Sequence, residues 1–247
     1  MLLSLATVAL AFFASTASAH VYMYGVSING KDQGDGRNKT IRSPTTNAPV
    51  TDFQSADIAC HDLGGVAAPN FVKAAAGDRL AFRWFHYNPE DPGDVIDASH
   101  KGAILTYIAK YAAASPSNGT GPVWSKLDEQ GFEGGEWATI KLISNGGKAG
   151  EVTLPKALAP DKYLIRQELL ALHRADGNPK DDPTRAAESY PSCMQFDVSG
   201  SGNAVPDQNF DFNKGYSYDG AATGLVFNIH IPFDKYTPPG PKVWTGN

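Results

Sequence analysis

The alternation of apolar and polar side chains is clearest in residues 80–86, which read LAFRWFH. Leu80, Phe82 and Trp84 fall on one side of an extended chain, as in a β-strand that turns one face towards a core. Similar patterns occur at residues 103–109 (AILTYIA), 193–198 (CMQFDV) and 225–231 (LVFNIHI). Turn-forming clusters separate them, at residues 34–36 (GDG), 145–147 (NGG) and 176–179 (DGNP). Strands and turns in regular succession predict an all-β fold, a β-sandwich.

The composition of the 247-residue chain agrees with that fold. It contains 25 glycines, 17 prolines and 11% aromatic residues, which favours strands joined by many turns. Hydrophobic residues make up 42% and charged residues 19%, so the chain can build a sizeable core and is not disordered. Its net charge of −5 lacks the basic footprint of proteins that bind nucleic acid or anionic membranes. We therefore expect no nucleic-acid partner and no membrane association, and we expect a monomer.

Residues 163–175 (YLIRQELLALHRA) fit two kinds of secondary structure. Most of them are good helix formers. Tyr163, Ile165 and Leu169 also share one side of an extended chain, together with Gln167 and His173. All-β surroundings favour the strand, because packing overrides propensity at such positions.

The first nineteen residues are apolar almost throughout and carry no charged side chain. They end in Ala17-Ser18-Ala19, the small-x-small pattern after which signal peptidase cuts. The stretch is marginal in length for a membrane anchor, and no basic residue follows it directly. We predict a signal peptide over residues 1–19 and a secreted, extracellular protein. Residues 20–247 are predicted to form a single domain, because no linker or internal repeat interrupts them.

Two cysteines and two sequons agree with export. Cys60 and Cys193 lie far apart, outside any metal-binding spacing, and should form a disulfide in an oxidising compartment. Asn38 and Asn118 begin the triplets NKT and NGT, so both are candidate glycosylation sites.

Cleavage after Ala19 would make His20 the first residue, with a free α-amino group beside its imidazole. Those two nitrogens can chelate one metal ion, which an internal histidine does only by deprotonating an amide. A further imidazole would give three nitrogens in a T, an arrangement that suits Cu(II). The alternative is that His20 simply starts a frayed terminus.

The other histidines are His61, His86, His100, His173 and His230, and they form no HExxH motif and no histidine-rich cluster. His86 and His230 lie in strand patterns, where a structural role is expected. His100 lies in the sequence SHKG just before an apolar strand, so its side chain can project from the edge of a sheet. Taken alone, this position does not identify His100 as a ligand.

A series of short stretches follows His20, the residue at the processed terminus, along nearly the whole mature length. They are NG at 29–30, DQGDGRN at 32–38, IRSP at 41–44, SHKG at 99–102, GPVWSK at 121–126, YLIR at 163–166, ALH at 171–173, YPSC at 190–193 and PPGPKVW at 238–244. In this order they resemble the fungal lytic polysaccharide monooxygenases of auxiliary activity family 9, once classed as glycoside hydrolases.

The resemblance implies an immunoglobulin- or fibronectin-like β-sandwich with long loops, in which residues 163–173 form a strand. It implies a secreted catalytic domain over residues 20–247 with one copper ion per chain. We expect no appended carbohydrate-binding module, because no Ser/Thr/Pro-rich tether leads to a second module. The implied activity is oxidative cleavage of β-1,4-glucans, with an external electron donor and O2 or H2O2. Cellulose is the expected substrate, and xyloglucan and cello-oligosaccharides are further candidates.

The resemblance also implies residue roles at the metal. His20, through its amine and imidazole, and His100 resemble the histidine brace that holds copper in the family. Tyr190 resembles the axial residue, whose phenol oxygen approaches the metal without binding it tightly. His173 resembles the histidine that forms hydrogen bonds near the oxygen-binding position.

Further residues match family features away from the metal. Tyr236 matches a surface aromatic residue that can stack on a sugar ring. Tyr24 and Tyr22 are additional candidates, although tyrosines near the start of a strand more often serve packing. Cys60 and Cys193 match a disulfide that is usual in the family.

Glu188 departs from the family pattern, which usually has glutamine two residues before the axial tyrosine. Glutamine can donate an N–H near the oxygen-binding position, whereas an ionised glutamate only accepts hydrogen bonds. We expect Glu188 to affect rate and pH optimum more than copper binding, so it joins His173 and Tyr190 as a candidate catalytic residue. A smaller departure is Ala103, where proline is common.

Two other functions remain open from the sequence. A glycoside hydrolase would need two carboxylates that flank the scissile bond. Glu168, Glu188 and Asp182 are available, but nothing singles out a pair. A non-catalytic copper- or carbohydrate-binding protein would keep the site without turnover, and Glu188 is the residue that favours this alternative.

Overall fold

Two β-sheets face each other across an apolar core in the computed structural model, which describes residues 20–114, 118–219 and 224–246. The predicted signal peptide over residues 1–19 lies outside the described residues. The predicted all-β sandwich is confirmed.

The first sheet has four strands: β1 (Tyr22–Ile28), β2 (Lys31–Asp32), β4 (Arg79–Phe85) and β9 (Val152–Thr153), in the order β2-β1-β4-β9. The second sheet has five: β3 (Val72–Ala75), β5 (Gly102–Lys110), β6 (Ser125–Gln130), β10 (Asp161–Ala171) and β11 (Glu188–Ser199), in the order β3-β11-β10-β5-β6. A small hairpin consists of β7 (Phe132–Glu133) and β8 (Glu136–Trp137). The described helices are short: α1 (Asp57–Cys60), α2 (Tyr111–Ala114), α3 (Ala138–Ser144) and α4 (Phe212–Gly215).

The core between the sheets uses the alternating side chains that the sequence indicated. Leu80, Phe82 and Trp84 of β4 are buried in one cluster with Ile165 and Phe196 of the opposite sheet. The rings of Phe82 and Phe196 meet edge to face, with centroids 6.3 Å apart. Burial of such side chains contributes about 1.5–3 kcal/mol each.

A second core covers the outer face of the five-stranded sheet. Leu105, Tyr107 and Leu164 point into it and pack with Trp124, which precedes β6, and with Phe212 of α4. The central strands of this sheet are therefore buried on both faces. This explains why residues 163–171 carry apolar side chains on both sides rather than on alternate positions, so that they look helical in sequence. The structure confirms the strand.

Residues 225–231, predicted as a strand, form none, and that prediction is wrong. The amide of Phe227 donates to the carbonyl of Ala175 (2.6 Å), and the side chains of Leu225, Phe227 and Ile229 pack against the outer core as a loop. The alternating apolar side chains of residues 225–231 reflect the packing of this loop on the outer core and not pairing within a β-sheet.

A disulfide joins Cys60, the last residue of α1, to Cys193 in the middle of β11. The predicted pairing is therefore present. Among the described residues, no helix is both long enough and apolar enough to cross a bilayer.

Candidate metal centre

Three strand ends meet at one end of the five-stranded sheet. Ala171, the last residue of β10, pairs with Gly102 at the start of β5 and with Glu188 at the start of β11. His100 lies two residues before β5, and His173 lies two residues after β10. The antiparallel register therefore brings together three side chains that are far apart in sequence.

A tight turn fixes His100. The Asp97 carboxylate accepts a hydrogen bond from the amide of Ser99 (2.8 Å), and the amide of His100 donates to the carbonyl of Asp97 (2.9 Å). The His100 Nδ1 lies 3.1 Å from the Ser99 Oγ. Its Nε2 is buried and has no hydrogen-bond partner. A buried ring nitrogen without a partner is costly, unless it binds a ligand.

The carboxylate of Glu188 lies between two imidazoles. Its Oε2 is 3.6 Å from the His100 Nε2, and its Oε1 is 3.7 Å from the His173 Nε2. The rings of His100 and His173 are 4.0 Å apart between centroids. On the core side, the Tyr190 hydroxyl donates a hydrogen bond to the Glu188 Oε2 (2.9 Å).

Burial and charge act in opposite directions on this cluster. Burial favours a raised pKa for Glu188, but His100, His173 and the hydrogen bond from Tyr190 outweigh it and lower that pKa below its usual value. Burial, with His100 adding to it, lowers the pKa of His173. Burial and then the charge of Glu188 raise the pKa of Tyr190 well above its usual value, so its phenol stays protonated. The cluster at neutral pH is thus a carboxylate, a protonated phenol and a histidine biased towards its neutral form.

His20 lies two residues before β1, and its neighbour Val21 donates an amide hydrogen bond to the carbonyl of Asn47 (3.3 Å). In the described part of the chain, the cluster with ligand atoms within 4.8 Å of one another contains His100, His173 and Glu188, and His20 is not among them. The predicted brace between His20 and His100 is therefore taken up below as a proposal.

The donor set fits copper. Imidazole nitrogen suits copper as a ligand, and the unpartnered Nε2 of the buried His100 is available for it. The hydrogen bond from the Tyr190 hydroxyl to Glu188 shows that the phenol points towards the cluster from the core. His100, His173, Glu188 and Tyr190, all predicted site residues, are thus brought together.

The structure does not bring the predicted sugar-stacking tyrosines to the surface. Tyr236 is only 4% exposed, and its hydroxyl donates to the carbonyl of Gly224 (2.8 Å). Its ring packs against Trp137, with centroids 5.0 Å apart. The prediction of an exposed aromatic at Tyr236 is wrong, because the loop after residue 224 turns this ring into the outer core.

Tyr24 is half-buried, and two cations already cover its ring. The guanidinium carbons of Arg37 and Arg83 each lie 5.1 Å from the ring centre. This packing explains its position in β1 and leaves the sugar-stacking prediction without support from the structure. Asn38 and Asn118 are both exposed, so glycosylation there stays a prediction.

Two residues near the cluster were not predicted from the sequence. The Arg174 Nη1 lies 3.8 Å from the Glu188 Oε1. The His230 Nε2 lies 3.0 Å from the carbonyl oxygen of His173. Arg174 could have been noticed as the residue after His173, but His230 is brought in by a loop whose path the sequence does not reveal.

Glu168, one of the carboxylates available to a hydrolase, is fully buried. Its Oε2 accepts hydrogen bonds from Arg166 (2.7 Å) and from the Ser189 hydroxyl (2.6 Å). The Tyr216 hydroxyl donates to its Oε1. A carboxylate enclosed in this way cannot reach a glycosidic bond, so it is structural.

Comparison with known proteins agrees with this site. The family model of Auxiliary Activity family 9 (formerly GH61) matches residues 20–236. The chain is 47% identical to an AA9 family lytic polysaccharide monooxygenase A from Collariella virescens, over 95% of this chain and 85% of that protein. It is 39% identical to the protein of that name from Schizophyllum commune, over 93% of this chain and 91% of the relative.

Solved structures give the same result. The structure named CvAA9A aligns with a TM-score of 0.85 at 47% identity, covering 91% of this chain and 98% of that one. A cellulose-active polysaccharide monooxygenase from M. thermophila aligns with a TM-score of 0.71 at 26% identity, covering 92% of this chain and 100% of that one.

The fold and the cluster define a β-sandwich with a candidate metal centre at one end of a sheet. The chain belongs to auxiliary activity family 9, and its enzyme class is lytic polysaccharide monooxygenase, a copper-dependent oxidoreductase. The predicted family, fold and enzyme class are confirmed, and the hydrolase alternative is set aside.

Proposed function

We propose that the mature protein is a secreted monomer that holds one copper ion between His20 and His100 and oxidatively cleaves β-1,4-glucans. The observation that carries the proposal is the buried His100 Nε2, which lacks a hydrogen-bond partner at the end of the sheet where Glu188 and Tyr190 converge. Secretion rests on the leader at residues 1–19, whose removal would free the α-amine of His20.

The ligands would be three nitrogens: the amine and imidazole of His20 and the Nε2 of His100. With the proton on the His100 Nδ1, the Ser99 Oγ 3.1 Å away accepts a hydrogen bond from it, and Nε2 is then the nitrogen that would bind the metal. When bound, copper supplies the one-electron chemistry with O2 or H2O2 that a strong glycosidic C–H bond requires.

The surrounding residues position protons and charge. His173 and Glu188 lie next to His100. The His173 Nε2 faces the Glu188 Oε1, and these two atoms can hold or exchange a proton. Tyr190 is buried beneath them and holds the Glu188 carboxylate by its hydrogen bond. The electron comes from an external donor, a small reductant or a redox protein.

Cellulose is the first substrate to test, because a related structure is described as cellulose-active and the family acts on polysaccharide. Xyloglucan and cello-oligosaccharides are further substrates to test. Processed, copper-loaded protein is incubated with amorphous cellulose, with and without ascorbate, and products are read by mass spectrometry beside a chelator control. Oxidised oligosaccharides that need both copper and reductant support the proposal.

Other outcomes contradict it. Unoxidised sugars that form despite the chelator would indicate hydrolysis. Tight copper binding without product on any of these glucans would indicate the non-catalytic binding protein.

The brace itself is tested by two changes to the ligands. One extra residue before His20 keeps the imidazole but removes the amine from its position, and His100→Ala removes the second ring. Each should lower copper affinity by at least about tenfold, because a chelating nitrogen is lost. Unchanged affinity, measured by calorimetry, would rule out the brace.

A further inference from the structure

We propose that His100, His173 and Glu188 form a distinct site for a divalent cation such as Zn2+, which shares His100 with the copper ligands. This site needs neither the α-amine nor the imidazole of His20. It therefore goes beyond the proposed function and does not depend on it.

The distances between ligand atoms carry the proposal. The two contacts of the Glu188 carboxylate with the imidazole Nε2 atoms measure 3.6 and 3.7 Å, and all three ligand atoms lie within 4.8 Å of one another. Ligand atoms bound tetrahedrally to zinc at about 2.0–2.2 Å lie roughly 3.3–3.6 Å apart. Small side-chain rotations therefore bring the three atoms to bonding distance of one ion.

The ligand types point to the same class of ion. Two imidazoles and a carboxylate with a remaining open position form a set that zinc occupies in proteins. Glutamine in place of Glu188 would offer only a neutral amide oxygen, a much weaker ligand. The Glu188 carboxylate is therefore the ligand that allows this cluster to bind a cation.

Contacts outside the cluster hold two of the three ligands in orientation. The Tyr190 hydroxyl donates to the Glu188 Oε2 (2.9 Å), and Ser99 Oγ lies 3.1 Å from the His100 Nδ1. Such outer hydrogen bonds orient ligands and are typical of metal sites in proteins. The Arg174 Nη1 also lies 3.8 Å from the Glu188 Oε1 on a half-exposed side chain whose Nε donates to the Thr184 carbonyl (3.0 Å), so a small rotation of the guanidinium can release the carboxylate to an ion.

Sharing of His100 makes the two metals compete. The ring has one nitrogen, Nε2, that is free to bind, so a cation in this cluster and a copper ion bound through His100 exclude each other. Zinc should then lower the apparent copper affinity of the processed protein, and Glu188→Gln should weaken this competition.

The direct test uses protein with one extra residue before His20, titrated with zinc sulfate in a calorimeter. We expect one zinc ion per chain, with an affinity within about threefold of that of the processed protein. Glu188→Gln and His173→Ala should each weaken zinc binding by at least about tenfold, since each removes a ligand. Glu90→Gln, the same change on an exposed loop residue, should have no effect.

Cobalt provides a second readout that does not depend on affinity alone. Co2+ bound by the three residues should give visible absorption in the protein with one extra residue before His20, called here the extended protein. Glu188→Gln should abolish this absorption while circular dichroism shows the fold intact. Zinc binding that is absent from the extended protein, or equally strong in Glu188→Gln, would overturn the proposal. Failure of the copper brace alone would leave these zinc and cobalt results unchanged.

Discussion

Glu188 occupies the first position of β11, where its carboxylate contacts two imidazoles and accepts a hydrogen bond from a buried phenol. Glutamine at this position would keep an oxygen acceptor for Tyr190 and add two N–H donors. The substitution therefore changes the charge and the donors of the cluster while its shape stays nearly the same.

Glu188→Gln in the processed protein should leave copper affinity within about threefold, because the carboxylate is not among the brace nitrogens. The rate of oxidised product formation should change by at least about threefold, since general acid–base groups contribute about 10²–10⁴-fold where they act. Calorimetry with copper and initial rates on cellulose measure the two effects. An unchanged rate across pH would make Glu188 a bystander in the reaction.

Tyr190→Phe should keep copper bound but change the electron paramagnetic resonance spectrum of Cu(II), because the phenol oxygen near the metal is lost. It should also cost about 0.5–1.5 kcal/mol of stability, since Glu188 loses a hydrogen bond. Tyr163→Phe is the matched control: it removes a phenol that donates to Ala159 near the far end of β10. Identical spectra for Tyr190→Phe and the unmodified protein would argue against an axial place.

At the scale of elements, the ends of β5, β10 and β11 determine the site. Gly102 starts β5 opposite Leu170 and Ala171, and a Cβ there would lie 1.8 Å from the Leu170 carbonyl oxygen. Its amide also donates to the hydroxyl of Thr139 (2.9 Å), which ties β5 to α3. Only glycine allows the two strands to approach this closely beside His100.

Gly102→Ala should therefore destabilise the protein by about 1–3 kcal/mol, the usual cost of forcing atoms into a packed site. The melting temperature should fall by roughly 2–4 °C for each kcal/mol in a chain of this size. Copper affinity should fall as well, because His100 shifts with the start of β5. Gly93→Ala, where the nearest atom is the side-chain Oδ1 of Asp91 at 3.2 Å, serves as the control. Equal melting temperatures for the two variants would contradict the explanation.

Alternation in the sequence correctly predicted strands with one buried face, such as β4. The sequence also identified the residue types that form the site. For residues 163–173 the local pattern alone fitted helix as well as strand, and the correct strand prediction came from the all-β surroundings and the family resemblance, because a strand buried on both faces lacks alternation. It failed for residues 225–231 and for Tyr236, whose side chains pack on Trp137 and its neighbours through a long loop. Contacts made by such loops depend on tertiary packing, which local patterns do not encode.

At the scale of the whole molecule, the Cys60–Cys193 bond connects α1 to β11 across a sequence separation of 133 residues. Arg166 of β10 supports the same junction, since it donates to the carbonyls of Ile58 (2.8 Å) and Ala59 (2.7 Å). The strand β11, which begins with Glu188, is therefore attached to α1 at Cys193, five residues after Glu188.

Replacing both cysteines by alanine should lower the free energy of unfolding by about 2–5 kcal/mol, because the unfolded chain regains the freedom that the crosslink removed. Calorimetric melting of the double variant measures this loss. Single replacements would leave an unpaired thiol and are less informative. A melting temperature equal to that of the unmodified protein would show that the packing of α1 alone is sufficient.

The disulfide is also enclosed, with Cys60 1% and Cys193 0% exposed. Thiol–disulfide exchange requires a thiolate to approach a sulfur directly, and here packed side chains and backbone block that approach. An enzyme of this class works in the presence of reductant, which would threaten an accessible crosslink. The external donor can therefore supply electrons at the outer end of the sheet while the buried disulfide stays intact over many turnovers. The reductant that the reaction requires does not break the crosslink that holds the scaffold together.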